Sequence, residues 1–351
     1  MKRISVYIFF VLFTACKSDR VLSYVSFTVD DFEQVNLSVT ESEGVECKDL
    51  FLGRPMSLAY HPDDFLLIRD SGTDRQLTVV DLLQMTSSSE INRGRSANEL
   101  LYLWDISVSD HDIFVSSLND NKLLRMEYDN DCRKFEYAET IVFPESFYRC
   151  APFDGDYLTF PSASSKHRFH LWNRNVEIKD TIGTFPSDGI DSDVLPDNGL
   201  FQSVLAVSPN GKCLATAYIG IDYIDVYDDL ELCARIRGPE CFDVSSKTKI
   251  VSDGHAFSFL TPDITAYTCI VGTESCFYVG YVGLKMSRNT IPDSDGFKIK
   301  TIFSFSWSGM PMKAYILDKP VDSFCVDEKS GTLYFLMSNP EYEIRLLRHC
   351  L

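Results

Sequence analysis

One repeating pattern limits the possible folds of this chain more than any other feature: a unit of strand, polar turn and strand occurs six times. In each unit the turn separates two runs that are rich in β-branched and aromatic residues, which favour strands. The last unit, residues 321–347, predicts three strands joined by two short turns. The six turn centres lie about 44 to 64 residues apart and are Asp64, His111, Gly155, Asn210, Glu274 and Ser330.

This spacing leaves room for four strands in each unit, as in the blades of a β-propeller. We therefore predict an all-β fold, a six-bladed β-propeller with four-stranded blades, which occupies residues 25–351 as a single domain and is monomeric. The last unit has room for only three strands because the chain stops at Leu351. An N-terminal strand at residues 35–39 is expected to join the last blade and close the ring.

The first residues have the order of a secretion signal. Lys2 and Arg3 precede an apolar run at residues 4–13, which is too short to span a bilayer. Two small residues and then Cys16 follow, and this ending resembles the bacterial lipobox. The resemblance implies cleavage before Cys16 and acylation of that cysteine. The alternative is an uncleaved core strand, although this order of charge and hydrophobicity is typical of a leader.

An acylated Cys16 would divide the N-terminal region into a signal peptide, residues 1–15, and a tether, residues 16–24. Several acyl chains anchor a protein stably where one would be marginal, so the membrane is the first predicted partner. Lys17 fits sorting to the outer membrane. We therefore predict a lipid-anchored protein of the cell envelope, facing either the periplasm or the surface.

Charge excludes one class of partner. The chain has a formal net charge of −18, from 33 Lys and Arg against 51 Asp and Glu. Such a surface repels the phosphates of nucleic acids, so no nucleic-acid partner is expected. Solubility explains most of the charge, and cationic ligands are also compatible with it.

The eleven cysteines do not form a metal or redox motif, because none of them has C-x-x-C spacing. Cys269 and Cys276 flank a short polar segment and would face each other across a tight hairpin, which makes a disulfide between them possible. The other interpretation is that both are free buried thiols, since a chain of this length needs no covalent staple.

The final part of the chain resembles a known family. Residues 303–307, 315–317, 321–326 and 331–335, together with Gly309, resemble the TolB-like six-bladed propeller lipoproteins that are common in Bacteroidetes. The resemblance extends over roughly residues 45–347. It implies the propeller fold, a lipid anchor and a binding role, and it suggests no reaction.

The same family has a loop with the pattern R-G-x-G-P-x-E between its first two blades. The corresponding residues here are Arg93, Gly94, Arg95, Ser96, Ala97, Asn98 and Glu99, in which the second glycine and the proline of the pattern are replaced. Two arginines this close together are unexpected in an acidic protein, and guanidinium groups bind carboxylates and phosphates well. We therefore treat five residues as a candidate ligand site: Arg93, Gly94, Arg95, Asn98 and Glu99. The alternative is that acidic neighbours pair with the arginines and fix the connection between blades.

The sequence leaves three functions open. The first is a module that binds a protein or a small or oligomeric ligand, with no cofactor. The second is a calcium-dependent, lactonase-like hydrolase at the channel mouth, with acidic and amide ligands placed near strand ends. Those candidate ligands are Asp70, Asp105, Asn119, Asp225 and Asp322. The third is a structural component of an envelope complex, for which a broad apolar patch would be the sign.

Two observations bear on this choice. The chain has no H-E-x-x-H, G-x-S-x-G or P-loop motif, so no catalytic residues are assigned. Trp104, Trp172 and Trp307 are either platforms for sugar rings or wedges between blades. A channel mouth lined by aromatic and arginine side chains would favour binding, and a carboxylate cage formed by three or more blades would favour the enzyme.

Overall fold

The computed structural model is built almost entirely from strands. It describes residues 23–48, 50–109, 111–118, 120–161, 165–186, 200–250, 256–286, 295–339 and 343–351. Within these ranges the one helical element is a single 3-10 turn at Val29–Asp31. No helix in the described ranges is long and apolar enough to cross a membrane.

Three short strands precede the first blade: β1 (Ser23–Ser26), β2 (Glu33–Leu37) and β3 (Glu43–Gly44). Blade 1 consists of β4 (Pro55–His61), β5 (Phe65–Asp70), β6 (Arg75–Asp81) and β7 (Thr86–Asn92). Blade 2 consists of β8 (Leu103–Ser109), β9 (Asp112–Ser117), β10 (Lys122–Asp129) and β11 (Lys134–Val142). Blade 3 consists of β12 (Phe147–Phe153), β13 (Asp156–Pro161), β14 (Phe169–Trp172) and β15 (Ile178–Ile182).

The second half of the chain repeats this arrangement. Blade 4 consists of β16 (Ser203–Val207), β17 (Cys213–Tyr218), β18 (Tyr223–Asp228) and β19 (Glu231–Arg237). A separate hairpin follows, made of β20 (Ser245–Ile250) and β21 (Ala256–Thr261). Blade 5 consists of β22 (Ile264–Gly272), β23 (Cys276–Lys285), β24 (Ile299–Ser306) and β25 (Pro311–Val321). Blade 6 begins with β26 (Ser323–Asp327), β27 (Thr332–Ser338) and β28 (Ile344–Cys350).

The six blades form a ring around a central channel. The first strand of each blade contacts the first strands of the two neighbouring blades, so these six strands surround the axis. The structure is therefore a six-bladed β-propeller, which confirms the predicted fold class. The inserted hairpin between blades 4 and 5 was not predicted.

Apolar side chains are packed between neighbouring blades. Phe65 and Leu77 of blade 1, for example, share one buried cluster with Leu103, Ile113 and Val115 of blade 2. Complete burial of a side chain of this size stabilises the fold by roughly 1.5–3 kcal/mol. Strand alternation produces these clusters, because every second side chain of a strand points to the same face of its sheet.

The ring is closed by β3, which pairs antiparallel with β28 as the fourth strand of blade 6. Gly44 lies opposite Leu347 and Glu43 opposite Arg348. The N–H of Val45 extends the ladder by donating to the carbonyl oxygen of Leu346, at 2.8 Å. The prediction that an N-terminal strand completes the last blade is therefore confirmed.

The predicted position of that strand was wrong. Residues 33–37 form β2, which adds to the outside of blade 5 as a fifth strand, parallel to β25. Leu37 and Val39 are buried there with Tyr315 and Val321, so the apolar side chains of this segment are used between blades 5 and 6. Strand β1 adds to blade 4 in the same way, parallel to β19.

One carboxylate fixes the chain between β2 and β3. Asp318, near the end of β25, accepts hydrogen bonds from the Val39 N–H at 2.7 Å and the Thr40 hydroxyl at 2.6 Å. The Ser38 hydroxyl also donates to it, at 2.9 Å. Burial acts to raise the pKa of Asp318, but these hydrogen bonds outweigh that effect and lower it. Asp318 therefore holds the segment that leads into the closing strand.

We predict that Asp318→Ala lowers the free energy of unfolding by about 1–2 kcal/mol, the usual cost of losing a carboxylate that caps backbone N–H groups. Urea denaturation followed by circular dichroism measures this change. Asp131→Ala removes the same charge from an exposed turn and is the control, for which we expect a change below about 0.5 kcal/mol. Equal midpoints for the two variants would contradict the role assigned to Asp318.

Candidate functional site

The loop that resembles the family pattern connects blades 1 and 2, and the backbone holds it at both ends. The Arg93 N–H donates to the carbonyl oxygen of Asp74, and the Gly94 N–H donates to that of Leu100. Lys122 donates to the carbonyl oxygen of Ser96 at 3.0 Å. Hydrogen bonds to both blades therefore hold this loop in place.

The candidate side chains of this loop differ in their contacts. Both arginines are exposed. The guanidinium of Arg93 donates to the carbonyl oxygens of Leu101 and Ser71, whereas the Arg95 side chain pairs with no described carboxylate. Glu99 accepts from the Ser96 N–H at 3.0 Å, and this bond lowers the pKa of Glu99. The alternative interpretation expected acidic neighbours to pair with these arginines. Arg93 instead forms hydrogen bonds with carbonyl oxygens.

Two further loop residues complete this description. A Cβ atom on Gly94 would lie 1.9 Å from Oε2 of Glu99, so a larger residue at this position would displace that carboxylate. Asn98 is exposed and lines a shallow groove on the outer rim, beside Tyr137 of blade 2. Contacts within the loop and with its neighbours therefore account for the presence of Arg93, Gly94 and Glu99 without a ligand.

We predict that Arg93→Ala lowers the free energy of unfolding by roughly 0.5–1.5 kcal/mol, because two hydrogen bonds to carbonyl oxygens are lost. Arg95→Ala is the matched control and should change stability by less than about 0.5 kcal/mol. Thermal or urea unfolding of the two variants measures the difference. A larger loss for Arg95→Ala than for Arg93→Ala would contradict the structural role of Arg93.

The acids proposed as calcium ligands lie at separate places with separate partners. Asp70 accepts from the backbone N–H groups of Gly53, Arg54 and Gly72. Asp225 is buried and forms a two-point ion pair with Arg235.

The remaining members of that set do not complete a cage either. Asp105 pairs with Arg149, and Asp322 accepts from the N–H and hydroxyl of Ser338. Asn119 lies outside the described residues. In the described part of the chain, no three His, Cys, Asp or Glu side chains are close enough to hold a metal ion. The structure does not bring the proposed calcium ligands together.

Cys269 and Cys276 are both free thiols. The register of β22 and β23 places Gly280 opposite Cys269, while Cys276 lies at the turn and contacts Thr273. The two cysteines therefore do not face each other, and the disulfide hypothesis was wrong. Burial raises the pKa of the Cys269 thiol, which favours its neutral form.

Blades 2, 3 and 4 meet around a cleft at the mouth of the channel, close to the N-terminal ends of β8, β12 and β16. The cavity at its base has a volume of about 20 Å³, which is room for about one water molecule, and the rest of the cleft is open to solvent. Its lining is dominated by aromatic and guanidinium groups: Trp104, Tyr148, Phe160 and Phe201, with Arg149 and Arg168. This is the arrangement that the sequence analysis associated with binding.

Arg149 joins the three blades at this cleft. From β12 in blade 3, its Nη1 atom forms an ion pair with Asp105 of blade 2 at 2.7 Å. Its Nε atom donates to the carbonyl oxygen of Ser203 in blade 4, also at 2.7 Å. The side chain is 15% exposed, so the pair is largely protected from solvent screening. Two fixed contacts orient the guanidinium group.

Arg168 lines the cleft and is fully buried. Its guanidinium carbon lies 4.5 Å from the ring centre of Tyr218 and 4.8 Å from that of Phe160. Nη1 donates to the carbonyl oxygen of Phe201 at 2.8 Å, and Nη2 donates to the hydroxyl of Ser203. Aromatic faces and oxygen acceptors together compensate the burial of this charge.

A third arginine lies behind the wall formed by Trp104. Arg69 of blade 1 donates from Nη1 to the carbonyl oxygen of Trp104 at 2.8 Å, and its guanidinium carbon is 5.6 Å from the indole ring centre. Burial lowers the pKa of Arg69; Tyr102 and Asp105 oppose that shift, and the charge of Arg149 adds to it. Positive charge is therefore concentrated on this side of an acidic protein.

Sequence reasoning missed the arginines of this site. One signal in the sequence could have indicated them. Asp105 and Arg149 are the third residues of β8 and β12, the first strands of blades 2 and 3, and each is the one charged residue of its strand. Of the three tryptophans, Trp104 lines the cleft, while Trp172 is buried and donates to Thr159. Trp172 also packs in a cluster shared by blades 2 and 3, and Trp307 packs against a cluster shared by blades 4 and 5. Both therefore lie between blades, as the second interpretation expected.

Comparison with known proteins agrees with this architecture. The family model described as TolB-like 6-blade propeller-like matches residues 32–329, so the chain belongs to that family. This result confirms the resemblance found in the sequence. No protein of curated function matches the chain.

Two solved structures from Bacteroides have a similar fold. A candidate exported protein of Bacteroides fragilis is 15% identical with a TM-score of 0.54, over 94% of this chain and 100% of that one. A member of the DUF4221 family from Bacteroides vulgatus is 11% identical with a TM-score of 0.57, over 88% of this chain and 95% of that one. At these identities the likeness concerns the fold alone.

Proposed function

We propose that this protein is a lipid-anchored envelope propeller that binds a ligand in the cleft between blades 2, 3 and 4. The observation that carries the proposal is the convergence of aromatic and guanidinium groups from three blades on one small cavity. Concave sites with apolar walls and a few oriented polar groups are typical of ligand pockets. The carboxylates that a calcium-dependent hydrolase would need are spread over separate partners, which favours binding over hydrolysis.

The leader supports the proposed location in the cell envelope, because a basic start and an apolar run precede Cys16. A lipid anchor would keep the propeller at a membrane surface without a spanning segment. The similar fold of a candidate exported protein is consistent with this location.

We predict that Cys16→Ser moves the protein from the membrane fraction to the soluble fraction, because acylation then has no thiol to modify. Fractionation of native cells followed by immunoblotting measures the distribution. Cys132→Ser changes an exposed cysteine of blade 2 and should leave the protein in the membrane fraction. A Cys16→Ser protein that still sediments with membranes would contradict lipid anchoring.

Ligand binding at the cleft can be tested by thermal stability. A ligand that binds the folded state raises the melting temperature, and we expect the low-molecular-mass fraction of a native envelope extract to do so. Ile219 lines the cleft, so Ile219→Trp should fill the cavity and abolish that increase.

Val142→Trp is the control for this experiment, because it adds the same ring at an exposed position on the outer edge of blade 2. It should keep the increase in full. An increase that survives in the Ile219→Trp protein would contradict the cleft as the binding site, and so would the absence of any increase in the unmodified protein.

A further inference from the structure

We infer that a groove on the outer rim, between blades 1 and 2, is a second binding site and that it takes one uncharged ring rich in hydroxyl groups, such as a sugar residue. The groove shares no lining residue with the cleft at the channel mouth, so it is a site in addition to the one proposed above. Its volume is about 200 Å³. That is room for on the order of ten water-sized groups, which suits a single sugar ring.

The groove exists because the N-terminal segment fills the outer gaps between other blades but not this one. Phe27 and Phe32 pack in the cluster shared by blades 4 and 5. Leu37 lies in the cluster shared by blades 5 and 6, and Val45 lies in the one shared by blades 6 and 1. Within the described ranges, the N-terminal segment contributes no side chain to the cluster shared by blades 1 and 2. The gap between these two blades therefore stays open at the rim.

The groove has an apolar base and one aromatic wall. Three buried side chains of blade 2 form the base: Leu124, Met126 and Phe135. Tyr137 lines the groove and is 44% exposed. Its hydroxyl lies 2.8 Å from that of Thr140, which in turn donates to the carbonyl oxygen of Ala97. These bonds hold the ring of Tyr137 in place, so that it offers a flat apolar face to the C–H groups of a sugar.

The polar groups around the groove carry both signs of charge. Arg75 and Glu90 line it, and neither forms an ion pair with a described residue. The carboxylate of Glu90 and the amides of Asn92 and Asn98 form no hydrogen bond with the part of the chain that the structure describes. One cation and one anion leave the groove neutral, although the chain has a net charge of −18. An uncharged ligand matches this balance.

Hydroxyl groups match these side chains in hydrogen bonding as well. A hydroxyl both donates and accepts, as does an amide, whereas a carboxylate accepts and a guanidinium donates. A ring with several hydroxyls can therefore bind Glu90, Asn92 and Asn98 at once while its C–H face packs on Tyr137. Each of these side chains alone would be an ordinary hydrated surface group. Their convergence on one groove with an aromatic wall is what favours a sugar.

The backbone of β7 has an unusual conformation at this groove. Ile91 has a φ of 59°, and a positive φ is a genuine outlier for a β-branched residue. Residues 89–92 follow one another in β7 and all line the groove, whereas a regular strand turns only every second side chain to one face. Backbone conformations of this kind cost free energy and are concentrated at ligand sites. The strand therefore departs from regular geometry where it brings Glu90 and Asn92 to the groove.

The alternative occupant is a peptide that adds to the edge of β7. Part of that edge is already engaged, because the Lys48 N–H donates to the carbonyl oxygen of Met85 at 3.0 Å. The Ser87 hydroxyl donates to the carbonyl oxygen of Lys48 at 3.2 Å, and Nη1 of Arg75 donates to that of Ser89 at 2.8 Å. Strand addition depends on free backbone groups along an edge. These contacts therefore favour a sugar over a peptide.

The Met126 methyl group lies at the base of the groove and reports on its occupancy. The full-length chain, isotopically labelled at its methionine methyl groups and purified in detergent, is titrated by NMR with methyl α-glucoside, methyl α-galactoside and methyl α-mannoside. We expect at least one of them to shift the Met126 signal saturably, with a Kd in the millimolar range. Cyclohexanol, a ring with a single hydroxyl, should bind about tenfold more weakly or worse. Met310, which is exposed between β24 and β25, is the internal control and should not shift.

Two substitutions in the groove test the assigned contacts. Asn98→Ala should weaken binding of the glycoside about fivefold, because hydrogen bonds of the amide are lost. Tyr137→Ala should weaken it about tenfold, because the aromatic face is lost. Asn175→Ala, at an exposed turn of blade 3, is the matched control and should leave the affinity unchanged. Melting temperatures show whether each variant is folded, and Met126→Leu assigns the signal.

The absence of a saturable Met126 shift with all three glycosides up to about 50 mM would overturn the assignment. Cyclohexanol binding as tightly as the glycosides would overturn the chemical class, and a glycoside affinity that is unchanged in both groove variants would overturn the location. A short capped peptide of alternating threonine and valine that shifts Met126 where the glycosides do not would assign the groove to strand addition instead. Binding is read here from the Met126 signal and not from the melting temperature, so a failure leaves the test of the cleft unaffected.

Discussion

Closure of the ring by a strand from the other end of the chain is the constraint on which the rest of this structure depends. The ladder between β3 and β28 is short, and the ion pair between Glu43 and Arg348 is exposed. An exposed pair of this kind contributes at most about 1 kcal/mol. Most of the closure must come from packing: Val45 is buried with Leu58 and Leu66 of blade 1 and with Tyr334 and Leu346 of blade 6.

A closed ring also determines what the channel mouth can do. Arg149 contacts Asp105 and Ser203 at 2.7 Å each, and these partners belong to the blades on either side of its own. Hydrogen bonds of this length tolerate little change in the angle between blades. Opening the ring would let neighbouring blades shift. The arrangement of the cleft therefore depends on the closing contact of the N-terminal strand with blades 6 and 1.

Much of the fold could be predicted because strand alternation and turn residues are local signals. The turn around Asp64 separates two runs that became β4 and β5, and residues 321–347 contain the three predicted strands. The identity of the closing strand could not be predicted in this way. Residues 35–39 and 43–45 both suit an edge strand, and the contacts that hold residues 33–40 on blade 5 come from β25, almost 280 residues away in sequence.

The candidate site was harder to predict for a related reason. The arginines of the loop at residues 93–99 stood out because they are close together in sequence, yet Arg93 binds carbonyl oxygens. Arg69, Arg149 and Arg168 are far apart in sequence and look like ordinary surface residues. These arginines lie close together because of the order of the blades and the burial of their side chains. A single sequence does not reveal either property for an individual residue.

Native-state hydrogen exchange tests the central claim, that the closing strand is part of the cooperative core. The Val45 amide donates to Leu346 in the ring closure, and the amides of β27 lie in the interior of the same blade. We predict that Val45 and the β27 amides exchange with the same free energy and the same dependence on denaturant, as expected for global unfolding. Exchange of Val45 through a low-energy, denaturant-independent opening, while β27 stays protected, would contradict this account.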